Sequence, residues 1–290
     1  METHPSPIIL SVSLYKSYAT WRFQTTGVSD DTIKHDISGI NTFMHQFHGG
    51  LNLQFGASQP LLRHYRGIDR IRKAYGIGRR TVFRRACTSQ MLNIMLTHLD
   101  RKNPFMCVMR AVILYGEGAG FRSQNYVFTK AGGNSSLESV TFAPNVHNPT
   151  HMLLRLPYSK TKQLNSVSME TRTIKCSCKK GLCAVHEVAA LIKDRYLHSS
   201  VRDTPLFLLP DGSPVTYYHL RETLKNLAIL FGLDHRYYTS HCLRIGRATE
   251  LHMDGWSVPR IMKFMGWTSR KSAMKYIRPN NPDFVMFGIE

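Results

Sequence analysis

The chain has 290 residues, 42% hydrophobic and 20% charged, which is enough apolar material for about two folded domains and excludes a disordered chain. Lysine and arginine total 38 against 19 acidic residues, and the resulting formal charge of +19 points to a polyanionic partner, nucleic acid before an anionic membrane. No run of about 18 apolar residues and no secretory leader can be read, so no membrane span is expected, and the six cysteines read as reduced thiols of an intracellular protein.

The first 75 or so residues read as helices between polar turns. Asp30-Asp31 opens a helix with an apolar stripe of Ile33, Ile37, Ile40, Phe43, Met44 and Phe47, and Gly49-Gly50 ends it. A second helix covers Leu61 to Ala74, with Leu62, Ile68 and Ile71 on one face. The segment Gly76 to Arg85 breaks this pattern and reads as a linker, so domains of residues 1–80 and 81–290 are expected. Between Arg63 and Arg85 lie nine basic residues, Arg63, Arg66, Arg70, Arg72, Lys73, Arg79, Arg80, Arg84 and Arg85, against the single acid Asp69. Such a run is either a solvated helix face or a strap across a phosphate backbone. Its position between two candidate domains favours the strap.

Beyond Arg85, Cys87 to Leu99 and Pro104 to Leu114 have helical spacing. Residues 125–175 read as β-rich, with strands at Tyr126-Val127-Phe128, Val140-Thr141-Phe142, Met152 to Leu156 and Arg172-Thr173-Ile174. Helical spacing returns at 185–196 and 216–231, and 240–277 is a set of short helices punctuated by Gly255, Pro259 and Gly266. The fold class is therefore α+β and mostly helical, a helical N-terminal domain plus a second domain holding a small antiparallel sheet.

The densest signal is residues 240–276, SHCLRIGRATELHMDGWSVPRIMKFMGWTSRKSAMKY. Ser240 can cap a helix on which His241 and Arg244 share a face. Trp267 follows the helix stop Gly266, and Tyr276 comes nine residues later on a helix that Thr268 or Ser269 could cap. His-x-x-Arg, then Gly-Trp, then Tyr at this spacing closely resembles the C-terminal signature of the tyrosine recombinases, the phage-integrase superfamily. Gly120-Phe121-Arg122-Ser123 resembles the family's first arginine motif, and Pro157-Tyr158-Ser159-Lys160-Thr161 is similar to the hairpin that presents its lysine. The matches span about 155 residues in the family's order. The Ser-Lys-Thr motif and a Cys/His loop also resemble those of eukaryotic Crypton- or DIRS-like mobile elements.

The resemblance implies a site-specific recombinase or integrase that cuts and rejoins DNA through a 3′-phosphotyrosine. Arg122 and Arg244 would grip the non-bridging oxygens, since guanidiniums make several hydrogen bonds and stay charged. Tyr276, with an ordinary pKa of about 10, needs a proton acceptor, for which His241 fits. Lys160 would protonate the departing 5′-oxygen, with Lys162 the alternative, and the Trp267 indole N–H would donate to the phosphate. Implied partners are double-stranded DNA with specific sites and a homotetramer assembled on it from protomers that are free in solution, with no membrane. The compartment would be the nucleus of a eukaryotic host or the cytoplasm of a bacterial one. The rival readings are an inactive recombinase-derived DNA-binding protein and a type IB topoisomerase; an RNA-binding module would need aromatic-rich motifs that the chain lacks. Where the family carries an acid three residues after its first arginine, this chain has Asn125.

No cofactor is required by this chemistry. Cys176, Cys178, Cys183 and His186 offer four soft ligands, but Cys-x-Cys-x4-Cys-x2-His matches no common zinc motif and so short a loop is strained. The preferred reading is a set of small, semi-buried residues, with structural zinc as the alternative. Phe284 to Phe287, beyond the tyrosine, form an apolar tail that either folds back onto its own domain or, as the resemblance implies and as is expected here, docks on a neighbouring protomer.

Overall fold

The computed structural model describes residues 12–47, 59–75, 84–129, 135–156 and 170–289. Outside them fall Gly49-Gly50, Arg79, Arg80, most of the expected linker, and the whole segment carrying Lys160 and Lys162. The chain divides into two compact units, Met1–Thr81 and Val82–Glu290. Among the described residues no helix is long and apolar enough to cross a membrane.

Among its described residues the first unit holds three helices, α1 (Val12–Thr26), α2 (Asp30–Phe47) and α3 (Gln59–Tyr75). Ser29 begins α2, its hydroxyl accepting from the Thr32 N–H, and Asp30 and Asp31 sit where the helix dipole favours anions. The core is Tyr15, Ala19, Phe23, Ile33, Ile37, Leu61, Tyr65 and Ile68. Two stripe positions depart from expectation: Phe43 and Ile71 are exposed. Arg63, Arg66 and Arg70 lie on the outer face of α3, opposite Leu61, Tyr65 and Ile68. Arg72, expected among them, is instead bonded to Asp69 at 2.8 Å.

The second unit is built around α5 (Pro104–Ala119), in which every residue from Val108 to Ala119 is buried. A helix apolar on all sides belongs at the centre of a domain. Around it pack α4 (Ser89–Leu96), α6 (Ala184–His198), α7 (Tyr217–Leu230) and α8 (Ser240–Met253), and α9 (Val258–Met265) and α10 (Arg270–Met274) follow. The sheet is antiparallel, in the order β1 (Val140–Ala143), β2 (His151–Leu156), β3 (Glu170–Lys175). Its core-facing rows are Phe142, Met152 and Ile174, and then Val140, Leu154 and Arg172. An arginine at a core register is costly unless its donors are met.

Tyr126-Val127-Phe128, expected as a strand, is a turn whose β pairing among the described residues is one bridge, from Phe128 to Thr216. Tyr126 is consumed as core, its ring lying where a side chain on Gly116 would go. The tail also departs from expectation. Residues Pro282–Phe287 form a 3-10 turn that docks in cis, with Phe284, Phe287 and Ile289 in the unit's own core. Burying each phenylalanine contributes about 1.5–3 kcal/mol. Asn281 donates to the Ala86 carbonyl oxygen at 2.9 Å, and Asp283 accepts from Arg85 and Tyr238. Arg85 is thereby committed within the unit, not offered as a phosphate strap.

Candidate active site

The site begins where α5 stops. Gly120 caps the helix in the left-handed conformation (φ 59°), and a Cβ there would strike the Met265 sulfur at 2.7 Å. Glycine is required on both counts. The last carbonyls of a helix lack intrahelical donors, and here two buried guanidiniums supply them. Arg172 of β3 donates to the Ala119 oxygen and Arg244 of α8 to the Gly120 oxygen. This explains the charged residue in the sheet's buried face. Arg172 also stacks on the Phe121 ring at 4.3 Å, and the next residue, Arg122, is thereby turned out of the core, half-buried.

Helix α8 contributes the second group. It is capped by Thr239, with Ser240 its first residue and not its cap. The Ser240 hydroxyl donates to that of Ser123 at 3.3 Å, tying the start of α8 to the Arg122 turn. One turn on, Gly246 allows the 85–87 segment to run against the helix: a Cβ would lie 1.8 Å from the Cys87 carbonyl oxygen. Arg244 is 2% exposed and also donates to the Met265 oxygen at 2.8 Å, so it fastens α8 to the ends of both α5 and α9.

The third group follows Gly266, which ends α9 with a left-handed cap (φ 66°). Trp267 is buried, and Ser269 caps α10 by accepting from the Ser272 N–H. Tyr276 lies in the turn just past α10, not on the helix. Its half-buried ring packs on Trp267 (centroids 4.6 Å apart) and on His241 (5.0 Å). The Arg244 guanidinium sits 5.0 Å from the Trp267 ring and 5.8 Å from that of Tyr276.

An open cavity of ≈ 570 Å³ is lined by Arg84, Arg122, Ser123, Ser240, His241 and Arg244. Tyr276 and Trp267 do not line it but stand behind His241 and Arg244. Burial, together with the nearby cations Arg244, Arg122, Arg278 and Arg84, lowers the His241 pKa to about 4. The imidazole is therefore neutral at pH 7, a proton acceptor in a strongly positive cavity. Arg84, expected in a strap along the phosphate backbone, lines this cavity; charge alone does not tell a cavity from a surface. Arg278 went unnoticed beside Tyr276, although its place two residues after the tyrosine was the available signal.

Asn125 is buried, and its main-chain oxygen accepts from the Ser135 N–H at 2.8 Å, while its side-chain amide adds no charge beside the Arg122 turn. Away from the cavity, Cys176, Cys178, Cys183 and His186 bring their ligand atoms within 4.8 Å of one another.

Comparison with known proteins matches residues 154–282 to the phage integrase family. No curated protein matches. Among solved structures, the post-cleavage complex of the XerH site-specific recombinase with palindromic difH DNA is similar at 11% identity and a TM-score of 0.58, covering 96% of this chain and 71% of that one. The Tn1549 transposon integrase bound to transposon right-end DNA is similar at 16% identity and a TM-score of 0.54, covering 92% and 80%. At these identities the likeness is one of fold.

Proposed function

The chain carries a phage integrase family domain and the tyrosine recombinase fold, and from that premise we propose that it is a site-specific DNA strand transferase acting through Tyr276. One observation carries the reading. Arg122 from one stretch of chain and His241 and Arg244 from helix α8 line one cavity with Arg84, and the Tyr276 ring packs against His241 and lies beside Arg244.

The step balances as follows. The Tyr276 oxygen attacks the phosphorus, the bond to the 5′-oxygen breaks, and a 3′-phosphotyrosine forms. The phenol proton passes to His241, whose ring is neutral at pH 7 and so has a nitrogen lone pair free. Arg122 and Arg244 meet the charge that grows on the non-bridging oxygens, where one preorganised donor is worth about 3–4 kcal/mol. Trp267 holds the tyrosine and adds its indole N–H. Lys160, or Lys162, supplies the proton to the leaving oxygen by resemblance to the family's hairpin. A second strand's 5′-hydroxyl reverses the step, so bond energy is kept and no nucleotide is consumed.

DNA is the partner, as it is for XerH and the Tn1549 integrase, and Arg63, Arg66 and Arg70 give the first unit a cationic face for the phosphate backbone. Four copies on two sites would exchange strands in pairs. Plasmids carrying one or two copies of a candidate site test the reading. Exchanged products that need paired sites support it. Relaxation of supercoils on site-free plasmid would identify a topoisomerase, and binding without any strand cleavage a recombinase-derived DNA-binding protein.

A further inference from the structure

The four soft ligands near the end of β3 are not explained by strand transfer: none of them lines the arginine cavity. Cys176 follows β3 directly and Cys178 opens the next turn, while Cys183 caps α6 and His186 lies in that helix's first turn. The chain thus brings two ligands from a strand end and two from a helix start to one point.

Their mutual distances are specific. The sulfurs of Cys176, Cys178 and Cys183 lie 3.7, 3.2 and 3.4 Å from one atom, the His186 Nδ1. A neutral imidazole nitrogen makes one hydrogen bond in the ring plane, as donor or acceptor, so it cannot satisfy three sulfurs. A cation between them can. Zinc bound at about 2.3 Å to sulfur and about 2.0–2.1 Å to nitrogen sets sulfur-to-nitrogen edges of about 3.6 Å in a tetrahedron. The three observed separations bracket that value, and all six cysteines are free thiols, with no disulfide competing for them.

We propose that Cys176, Cys178, Cys183 and His186 form a structural zinc site that fastens the end of β3 to the start of α6. The strain expected of so short a loop is relieved at Gly181, whose φ of 120° an L residue rarely adopts, and where a Cβ would meet the Asn93 side chain at 2.9 Å. Asn93 of α4 holds the loop from outside, accepting from the Leu182 N–H at 2.9 Å. The Ser177 N–H donates to the Cys183 sulfur at 3.3 Å, the kind of supporting bond that orients a thiolate ligand. Cys176 is anchored through its own N–H to the Thr150 carbonyl oxygen at 2.8 Å. Three thiolates and a neutral imidazole around Zn²⁺ leave one net negative charge, and Lys175, Lys179 and Lys180 flank the loop in sequence. All four positions are filled by protein, so the site has no open coordination place and is structural, not catalytic.

The proposal does not depend on strand transfer, and its test reads metal, not DNA. The full-length chain is purified reduced and without chelator, and its metal content is measured. The metal-stripped protein is then titrated with Co²⁺. Expected are about one zinc per chain and the intense thiolate-to-cobalt bands of a tetrahedral sulfur-rich site, bleached by added Zn²⁺. Cys178→Ser and Cys183→Ser should lose the retained zinc to background, while Cys107→Ser, outside the cluster, keeps it. Reduced wild-type protein that holds no zinc and develops no such bands would overturn the site, whatever the variants do. So would unchanged zinc retention in Cys178→Ser.

Discussion

The buried guanidinium of Arg244 donates to the carbonyl oxygen of Gly120, two residues before Arg122, and so fixes the separation of the two arginines that line the cavity. The two therefore differ in kind. Arg244 is both a strut between helix ends and a candidate catalytic group, whereas among the described residues the Arg122 guanidinium makes no hydrogen bond and only its main-chain oxygen is engaged, by the Asn125 N–H.

That difference predicts a split between stability and chemistry. Arg244→Lys keeps the charge but cannot bridge the Gly120 and Met265 oxygens, so it should lower stability by about 1.5–3 kcal/mol for each bond lost and slow cleavage about 10²–10³-fold. Arg122→Lys should slow cleavage similarly with stability within about 0.5 kcal/mol of wild type. Urea denaturation beside a single-turnover cleavage assay reads both.

Gly246 is a second sharp test, because its missing side chain is what lets the Cys87 backbone lie on α8. Gly246→Ala forces backbone apart and should cost about 1–3 kcal/mol or more. In an open helix the same change would stabilise by about 0.5–1 kcal/mol, so the sign of the shift in the denaturation midpoint decides.

His241 should titrate near 4 in the folded protein, against about 6.5 when unfolded. Its folded pKa is depressed, so the unfolded chain takes the proton first, and stability falls as pH drops from about 6.5 towards about 4. Following the imidazole by NMR in the DNA-free protein checks this. Substitution His241→Gln should flatten that acid limb of the stability curve.

The outer face of α3 predicts a salt effect. Arg63→Ala, Arg66→Ala and Arg70→Ala together should reduce the slope of log affinity against log salt by about 0.9 for each phosphate contact removed. Because these side chains are exposed, the folded state should shift by no more than about 0.5 kcal/mol per change.

Much of this was legible in the sequence. The grouping of His241, Arg244, Trp267 and Tyr276 was legible because α8, α9 and α10 are short, so residues on them and just past their ends meet. What failed depended on long-range contacts. Tyr126 and Phe128 have strand propensity, yet the room beneath Gly116 takes the tyrosine ring and ends any strand. Arg172 looked like an ordinary strand residue, because nothing local reveals that a helix end needs a donor there. Arg84, Arg85 and Arg72 were equivalent as charges and proved different as neighbours: one faces the cavity and two are paired with acids. The tail's apolar residues announced burial but not in which copy of the chain.

The central claim is that Tyr276, Arg122 and Arg244 act on one phosphorus atom. Mass spectrometry of the protein trapped on a nicked suicide DNA substrate tests it most directly. The account predicts a 3′-phosphate linked to the Tyr276 peptide, no adduct with Tyr276→Phe, and almost none with Arg122 and Arg244 both replaced by alanine. An adduct on any other residue, or one that persists without the two arginines, would contradict it.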